Sequence, residues 1–149
     1  MPDLDEVDKK ILNTLSKNSR LSYREIAKAV DVSVATALNR VKRLEKDGII
    51  KGYTIAVDYD ALGYDVGVMI QIRVSRGKLF QVENKIASDP HVVGVFDITG
   101  AFDAVIIAHF KSRRSLDQFL KKIQTFDFVE RTETVLILNS IKEGMVEVS

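Results

Sequence analysis

The sequence contains no cysteine among its 149 residues. Structural disulfides, thiolate metal sites and cysteine nucleophiles are therefore excluded. No apolar run approaches the roughly 20 residues that a membrane-spanning helix needs. The first six residues, Met1-Pro2-Asp3-Leu4-Asp5-Glu6, are acidic where a signal peptide would be basic. We therefore expect a soluble, cytoplasmic protein without a membrane partner.

An excess of charge of either sign is also missing, since the formal net charge is only +1. This value argues against a generic polycation that coats nucleic acid. It leaves room for a locally basic surface, so the distribution of charge matters more than its sum. Hydrophobic residues make up 46% of the chain, which is enough for a packed core without disulfides.

The spacing of apolar residues changes near residue 50. Before this point they recur at helical spacing, and after it β-branched runs alternate with two helical segments. The sequence therefore predicts a helical domain over residues 1–50, a connecting strand and hinge over 51–63, and an α+β domain over 64–149.

Three helices are predicted in the first region. The apolar stripe of the first consists of Leu4, Val7, Ile11, Leu12 and Leu15. Ser22 begins the second and forms a capping box with Glu25, while Ser33 begins the third, which ends at Gly48. Acidic residues around the start of the first helix are interpreted as favourable charges at a helix N-terminus: Asp3, Asp5, Glu6 and Asp8. The short turn before the third helix indicates a helix-turn-helix, with Ile49–Asp58 as a possible wing strand.

The outer face of the third helix carries side chains that suit DNA. Opposite a predicted core stripe running from Val34 to Leu44 lie Thr36, Asn39, Arg40, Arg43 and Lys46. Arginine can bond guanine bidentately, asparagine can read adenine, and threonine, lysine or arginine can reach phosphates. Small residues at Ser33 and Ala35 let the helix tip enter a groove, and Lys42 flanks this face. This face predicts binding to double-stranded DNA, with a merely solvated helix face as the alternative.

The second region has the order βαββαβ of a ferredoxin-like α+β domain. Its predicted elements are strand Val66–Ser75, helix Lys78–Ser88, strands Val92–Ile98 and Asp103–Lys111, helix Ser115–Thr125 and strand Glu130–Leu138. Alternate residues of the first strand, from Val66 to Val74, are expected to pack on the two helices. Apolar residues on the other face, such as Met69 and Phe96, suggest that the sheet meets a partner.

Four fragments, in order along the chain, carry a family resemblance: residues 4–12, 20–27, 41–53 and 99–103. Together they resemble the leucine-responsive/asparagine-regulator family of transcription regulators, also called feast/famine regulators. The resemblance covers essentially the whole chain. It implies dimers that associate further, often as tetramers of dimers (an octamer), and amino-acid effectors bound between subunits. A two-fold symmetric dimer would prefer a pseudo-palindromic operator.

The turn Thr99–Asp103 is the candidate effector site. Backbone N–H groups of Gly100, Ala101 and Phe102 can hold a carboxylate, and Asp103 can hold an α-ammonium group. Hydroxyl groups on the last strand, from Thr132 and Thr134, can add hydrogen bonds. Asp117 is a weaker candidate for a side-chain amine. The alternatives are a tight turn that uses Gly100 at positive φ and an ordinary acid near a helix N-terminus at Asp117.

An enzyme is the competing class, because ferredoxin-like sheets host many chemistries. The sequence shows no nucleophile–base pair, no metal-ligand spacing and no phosphate loop. We therefore expect no catalytic residue, metal or cofactor. A ligand-free architectural DNA-organising protein remains a second alternative, which only effector dependence would separate from a regulator.

Overall fold

The computed structural model describes residues 3–149 as two compact units. Met1 and Pro2, which open the predicted helical domain and the acidic N-terminal segment, lie outside the described residues. The first unit comprises the described residues up to Ala56 together with Lys142–Ser149, and the second is Val57–Ile141. No helix within residues 3–149 is long and apolar enough to cross a membrane.

The first unit contains helices α1 (Glu6–Lys17), α2 (Tyr23–Val30) and α3 (Val34–Lys46). The predicted capping box of α2 is confirmed, since Ser22 and Glu25 exchange side-chain and backbone hydrogen bonds. Gly48 follows α3 with φ +71°, a left-handed conformation that favours glycine. The helix-turn-helix is thus formed by local signals that the sequence carries.

The core of the first unit brings the three helices together. Its buried residues are Ile11, Leu12, Leu15, Ile26, Ala27, Val30, Ala37, Val41 and Leu44. Val34 was predicted to begin the core stripe of α3, but its side chain is 46% exposed. Val34 is the first residue of α3, and the buried stripe of the helix runs only from Ala37 to Leu44.

The predicted wing strand Ile49–Asp58 is not formed. Among the described residues this segment belongs to no sheet, because no other strand of the unit lies alongside it to accept its backbone hydrogen bonds. Ile49 and Ile50 instead pack against the helical core. The following residues, with part of α1 and Met145, line a cleft of about 490 Å³.

The C-terminal residues 142–149 also differ from the prediction, which placed them in the α+β domain. They belong to the first unit. The side-chain amide of Asn13 on α1 donates to the carbonyl of Val148 and accepts from its N–H, both at 2.9 Å. An asparagine side chain thus pairs with the tail as a neighbouring strand would.

The second unit has the predicted ferredoxin-like α+β architecture. Its elements are β1 (Val66–Val74), α4 (Leu79–Ala87), β2 (Val92–Asp97), β3 (Ala104–Phe110), α5 (Arg113–Gln124) and β4 (Val129–Leu136). The strands form one antiparallel sheet in the order β2-β3-β1-β4. Each predicted strand and helix is present, with bounds shifted by no more than two residues.

The two faces of this sheet have different surroundings. Val68, Ile70 and Ile72 are fully buried in a core with α4 and α5, as predicted. On the other face, Met69 of β1 lies between Ile107 of β3 and Val135 of β4. We call this second face the open face of the sheet.

Candidate DNA interface and effector turn

The exposed side of α3 is rotated from the one predicted. Ala35, Asn39, Lys42 and Lys46 are exposed and share the side of the helix turned away from the core. Arg43 is also exposed and lies at the margin of this side. Thr36 and Arg40 are half-buried on the flank nearer α1. The side chains of Ala35, Asn39 and Lys42 are therefore turned furthest from the core.

Ser33 and Thr36, two of the predicted DNA-binding residues, are hydrogen-bonded to each other at the start of α3. Ser33 accepts from the N–H of Thr36 at 3.1 Å, and the two hydroxyl oxygens lie 2.8 Å apart. Ser33 is the N-cap residue, so this contact satisfies a backbone donor that the helix itself leaves open. Both residues hold the end of α3 in shape, and both stay near the surface.

Arg40 and Arg43 form ion pairs with two carboxylates at the start of α1, Asp5 and Asp8. We call these two acidic residues the acid clamp. Nη1 of Arg40 donates to Asp5 and lies 3.3 Å from both carboxylate oxygens of Asp8. Arg43 donates to Asp8 through Nη2. The side chain of Asp8 is fully buried, whereas that of Asp5 is 50% exposed.

Asp5 and Arg40 each stabilise the charged form of the other. A hydrogen bond from the N–H of Asp8 lowers the pKa of Asp5; burial opposes this change, and Arg40 reinforces it. In return, the hydrogen bond to Asp5 raises the pKa of Arg40. The sequence interpretation saw only helix N-terminal charges here. A signal was present, because Asp8 lies four residues from both Leu4 and Leu12, in the middle of the buried stripe.

Asp103 has a structural role at the candidate effector turn. Its carboxylate accepts a hydrogen bond from the N–H of Val74 at 2.7 Å, and its own N–H donates to the carbonyl of Ile72 at 2.9 Å. Its carbonyl accepts from Ile98, which closes the turn. Gly100 adopts φ +118°, as the tight-turn interpretation expects. Asp103 therefore ties the turn to the end of β1.

The other predicted effector residues differ in exposure and lie on different elements of the second unit. Gly100 and Ala101 are exposed, and Phe102 is half-buried with the guanidinium of Arg131 5.3 Å from its ring centroid. Thr132 and Thr134 pair with Ile72 and Ile70, so they lie on the helix side of β4. Asp117 forms an exposed ion pair with Lys121 at 2.7 Å on α5. The structure thus brings Asp103 to the end of β1, close in register to Thr132, and gives Asp117 a surface partner.

Two family profiles match consecutive parts of this chain. The winged helix-turn-helix DNA-binding profile matches residues 4–51, and the Lrp/AsnC ligand-binding domain matches residues 67–147. The chain belongs to the Lrp/AsnC family of transcription regulators. The predicted family and fold class are confirmed, and the chain is a DNA-binding regulator with a ligand-binding domain.

Relatives of this Lrp/AsnC regulator match over nearly their full length. An uncharacterised HTH-type transcriptional regulator of Pyrococcus abyssi is 44% identical over 140 residues, which cover 94% of this chain and 95% of the relative. The regulator FL11 of Pyrococcus furiosus is 36% identical, with 94% and 93% covered.

Solved structures agree. AsnC of Escherichia coli has a TM-score of 0.89 at 32% identity and covers 99% of this chain and 100% of its own. A Neisseria meningitidis regulator in complex with L-methionine shares the fold, with a TM-score of 0.89 at 24% identity and coverage of 99% and 97%.

Near the effector turn, the regulator has a pair of carboxyl groups that the sequence analysis missed. Glu83 on α4 is half-buried, and its Oε1 atom is buried without a hydrogen-bond partner among the described residues. Burial and the adjacent Asp97 raise the pKa of Glu83 to about 7. The two carboxyls can hydrogen-bond only when one of them carries a proton. Residues 3–149 contain no cluster of three or more His, Asp or Glu side chains that could hold a metal ion.

Glu83→Gln should stabilise the protein at pH 8 and have little effect at pH 5. The pKa of Glu83 is raised from 4.5 to about 7, so the folded state binds more protons than the unfolded state in this window. Stability therefore falls as pH rises through it. Allowing for solvent screening, we expect a gain of about 1–2 kcal/mol at pH 8. Urea denaturation at both pH values measures it, with the exposed Glu143→Gln as control. An equal effect of Glu83→Gln at both pH values would contradict the shifted pKa.

Proposed function

We propose that α3 of this regulator reads a pseudo-palindromic operator in double-stranded DNA. The observation that carries the proposal is the exposed side of α3, which presents Ala35, Asn39 and Lys42 within the unit that matches a DNA-binding family. The proposed interface consists of Ser33, Ala35, Thr36, Asn39, Arg40, Lys42, Arg43 and Lys46.

Position along the helix assigns the roles. The N-terminal turns of a recognition helix come closest to the base edges, so Ala35 and Asn39 are the candidates for base contacts. Lys42 and Lys46 lie further along on the same side and suit phosphates, which lysine binds as a point charge. Ser33 and Thr36 hold the helix start, where backbone N–H groups and the helix dipole favour a phosphate.

Asn39→Ala should weaken binding to a selected operator by about 1–3 kcal/mol and relax preference at one base pair per half-site. Lys42→Ala should instead weaken binding to all sequences about equally and reduce the salt slope by about one per half-site. Both side chains are exposed on α3, so each variant controls for the other.

Binding is measured as affinity against salt concentration, first for an operator selected in vitro by the wild type. Unchanged operator affinity in both variants would contradict the assignment of this side of α3. An asymmetric consensus in the selection would contradict the symmetric dimer.

The open face of the sheet supports self-association through the second unit. Met69, Ile107 and Val135 form an apolar row across three strands, and Phe96 on the edge strand is 57% exposed. The ring of Phe96 lies against Gly94, where a Cβ atom would come within 2.6 Å of it. A contiguous apolar face of this kind marks an interface. We propose that it forms the dimer, from which octamers can assemble.

We further propose that a free amino acid binds at the turn Gly100–Asp103 where subunits meet. Exposed N–H groups suit its carboxylate, and Asp103 suits its ammonium group. An ion pair open to water contributes little, so the site requires burial by a second subunit. Thr132 and Thr134, on the helix side of β4, belong to the proposed set, and Asp117 on α5 is its weakest member. The L-methionine complex of a protein with this fold supports the ligand class.

Such a ligand regulates only if it prefers one assembly state over another. Its binding should therefore change oligomer size or operator affinity. The relatives are transcription regulators, and we propose no catalytic activity for this chain. A ligand-free architectural protein would show the DNA interface and the assembly without any effector dependence.

A further inference from the structure

We infer that the acid clamp, Asp5 and Asp8, sets the sequence specificity of α3 by neutralising Arg40 and Arg43 and fixing their orientation. Asp5 and Asp8 are thus positioning residues, which act on DNA through the two arginines. The inference rests on the proposed DNA interface and adds residues of α1 that do not face the groove.

The geometry leaves each arginine with donors to spare. Arg40 engages the clamp through Nη1 alone, and Arg43 through Nη2 alone. A guanidinium carries five N–H donors, so most of them remain available to a ligand. The side chains of Arg40 and Arg43 are 29% and 42% exposed. The clamp therefore holds two guanidinium groups at the surface with part of each accessible.

The clamp also cancels the charge that non-specific binding uses. Two carboxylates face two guanidinium groups, so this flank of α3 carries no net charge. A phosphate must compete with carboxylates that are already bonded, and it releases few counterions in exchange. Base edges depend on the direction of donors rather than on net charge. Because the acid clamp neutralises the two guanidinium groups and fixes their orientation, it weakens binding to random DNA more than binding to an operator.

Lys42 and Lys46 lie on the same helix as the two arginines but, within residues 3–149, are not paired with acidic residues. Both are exposed on α3 and form no ion pair among the described residues. They are left to attract phosphates, while the clamped arginines are restrained. Non-specific attraction to DNA and sequence-specific contacts thus depend on different side chains of α3.

Anchoring α1 to α3 does not by itself account for Asp5. The buried Asp8 alone contacts both arginines and joins the two helices. The Asp5 carboxylate is half-exposed, and an ion pair in that setting adds little to folding stability. Asp5 is also the N-cap of α1, where its carboxylate accepts from the N–H of Asp8, a role that asparagine can keep. What asparagine cannot keep is the charge of Asp5 that neutralises Arg40.

Asp5→Asn and Asp8→Asn test the inference in the full-length protein. Asparagine is a good N-cap, so Asp5→Asn keeps the cap that Asp5 forms at the start of α1. The matched control is Glu6→Gln, which removes the same charge from the same helix but is paired only with Lys9. Binding of each variant is measured over a range of salt concentrations, to the selected operator and to a random duplex of equal length.

Freed arginines should become phosphate binders. For random DNA, the slope of log affinity against log salt should steepen by about one per helix-turn-helix unit in Asp5→Asn and by up to about two in Asp8→Asn. The ratio of operator affinity to random affinity should fall about tenfold. Glu6→Gln should keep both the slope and the ratio of the wild type.

Two results would overturn the inference. One is an equal slope and ratio in Asp5→Asn, Asp8→Asn and Glu6→Gln; the other is a parallel loss of both affinities without a change in slope, as expected of a purely structural role. Circular dichroism checks folding, and Asp5→Asn decides if Asp8→Asn does not fold. If the wild type prefers no duplex, the proposed DNA interface itself fails, which is a separate outcome.

Discussion

Ile107→Glu should convert the regulator to a monomer at micromolar concentration. Ile107 lies on β3, next to Met69 on the open face. If this face forms the dimer, the substitution buries an unpaired carboxylate in each half of an apolar interface. A buried charge without a partner costs at least about 3 kcal/mol, which is on the order of a hundredfold in Kd. Light scattering and sedimentation measure the result.

Gln118→Glu is the matched control for Ile107→Glu. Gln118 is exposed on α5, which covers the other side of the sheet, so the same charge is added away from the open face. The control should keep the assembly of the wild type. If Ile107→Glu also keeps it, the open face is not the interface and the assembly depends on another surface.

Local signals explain why much of the fold could be predicted. The capping box of Ser22 and Glu25 needs only residues three apart, and the buried face of β1 follows from alternation. The βαββαβ order then leaves few ways to close a sheet. These features depend on neighbours in sequence, which a single chain displays directly.

Features that depend on packing between distant segments were missed. The wing strand had the composition of a strand but no partner to pair with among the described residues. The C-terminal tail joins Asn13 across 135 residues, and Arg43 meets Asp8 across 35. Such contacts are set by how distant segments pack together, and the spacing of apolar residues does not show that packing.

The same reason limits the candidate site. The outer side of α3 was predicted from a wheel that began its buried stripe at Val34, and the real stripe begins at Ala37. Arg40 was therefore expected to face outward, whereas it turns towards α1. At the effector turn, the hydrogen bond from Val74 to Asp103 could be seen only once the end of β1 was placed beside it.

That hydrogen bond allows the charge of Asp103 to be separated from its structural role. Asp103→Asn keeps an oxygen that can accept from Val74 N–H, but it removes the charge that an ammonium group would meet. Asp103→Ala removes both. We expect Asp103→Asn to change the free energy of unfolding by less than about 1 kcal/mol, and Asp103→Ala to reduce it by about 1–3 kcal/mol, since a buried donor loses its partner.

Effector binding should respond differently from stability, because both variants lack the charge. A charge-assisted hydrogen bond contributes about 1.5–3 kcal/mol, so Asp103→Asn and Asp103→Ala should each weaken the effector by roughly 10- to 100-fold. A thermal-shift screen of the twenty amino acids on the wild type identifies the ligand, because binding to the folded state raises its stability. Calorimetry then compares the variants, with the exposed Asp127→Asn as the control for loss of a carboxylate.

Operator binding without effector should survive in all of these variants. Equal ligand affinity in the wild type and Asp103→Asn would remove Asp103 from the site, whereas no shift with any amino acid would favour a ligand-free architectural protein.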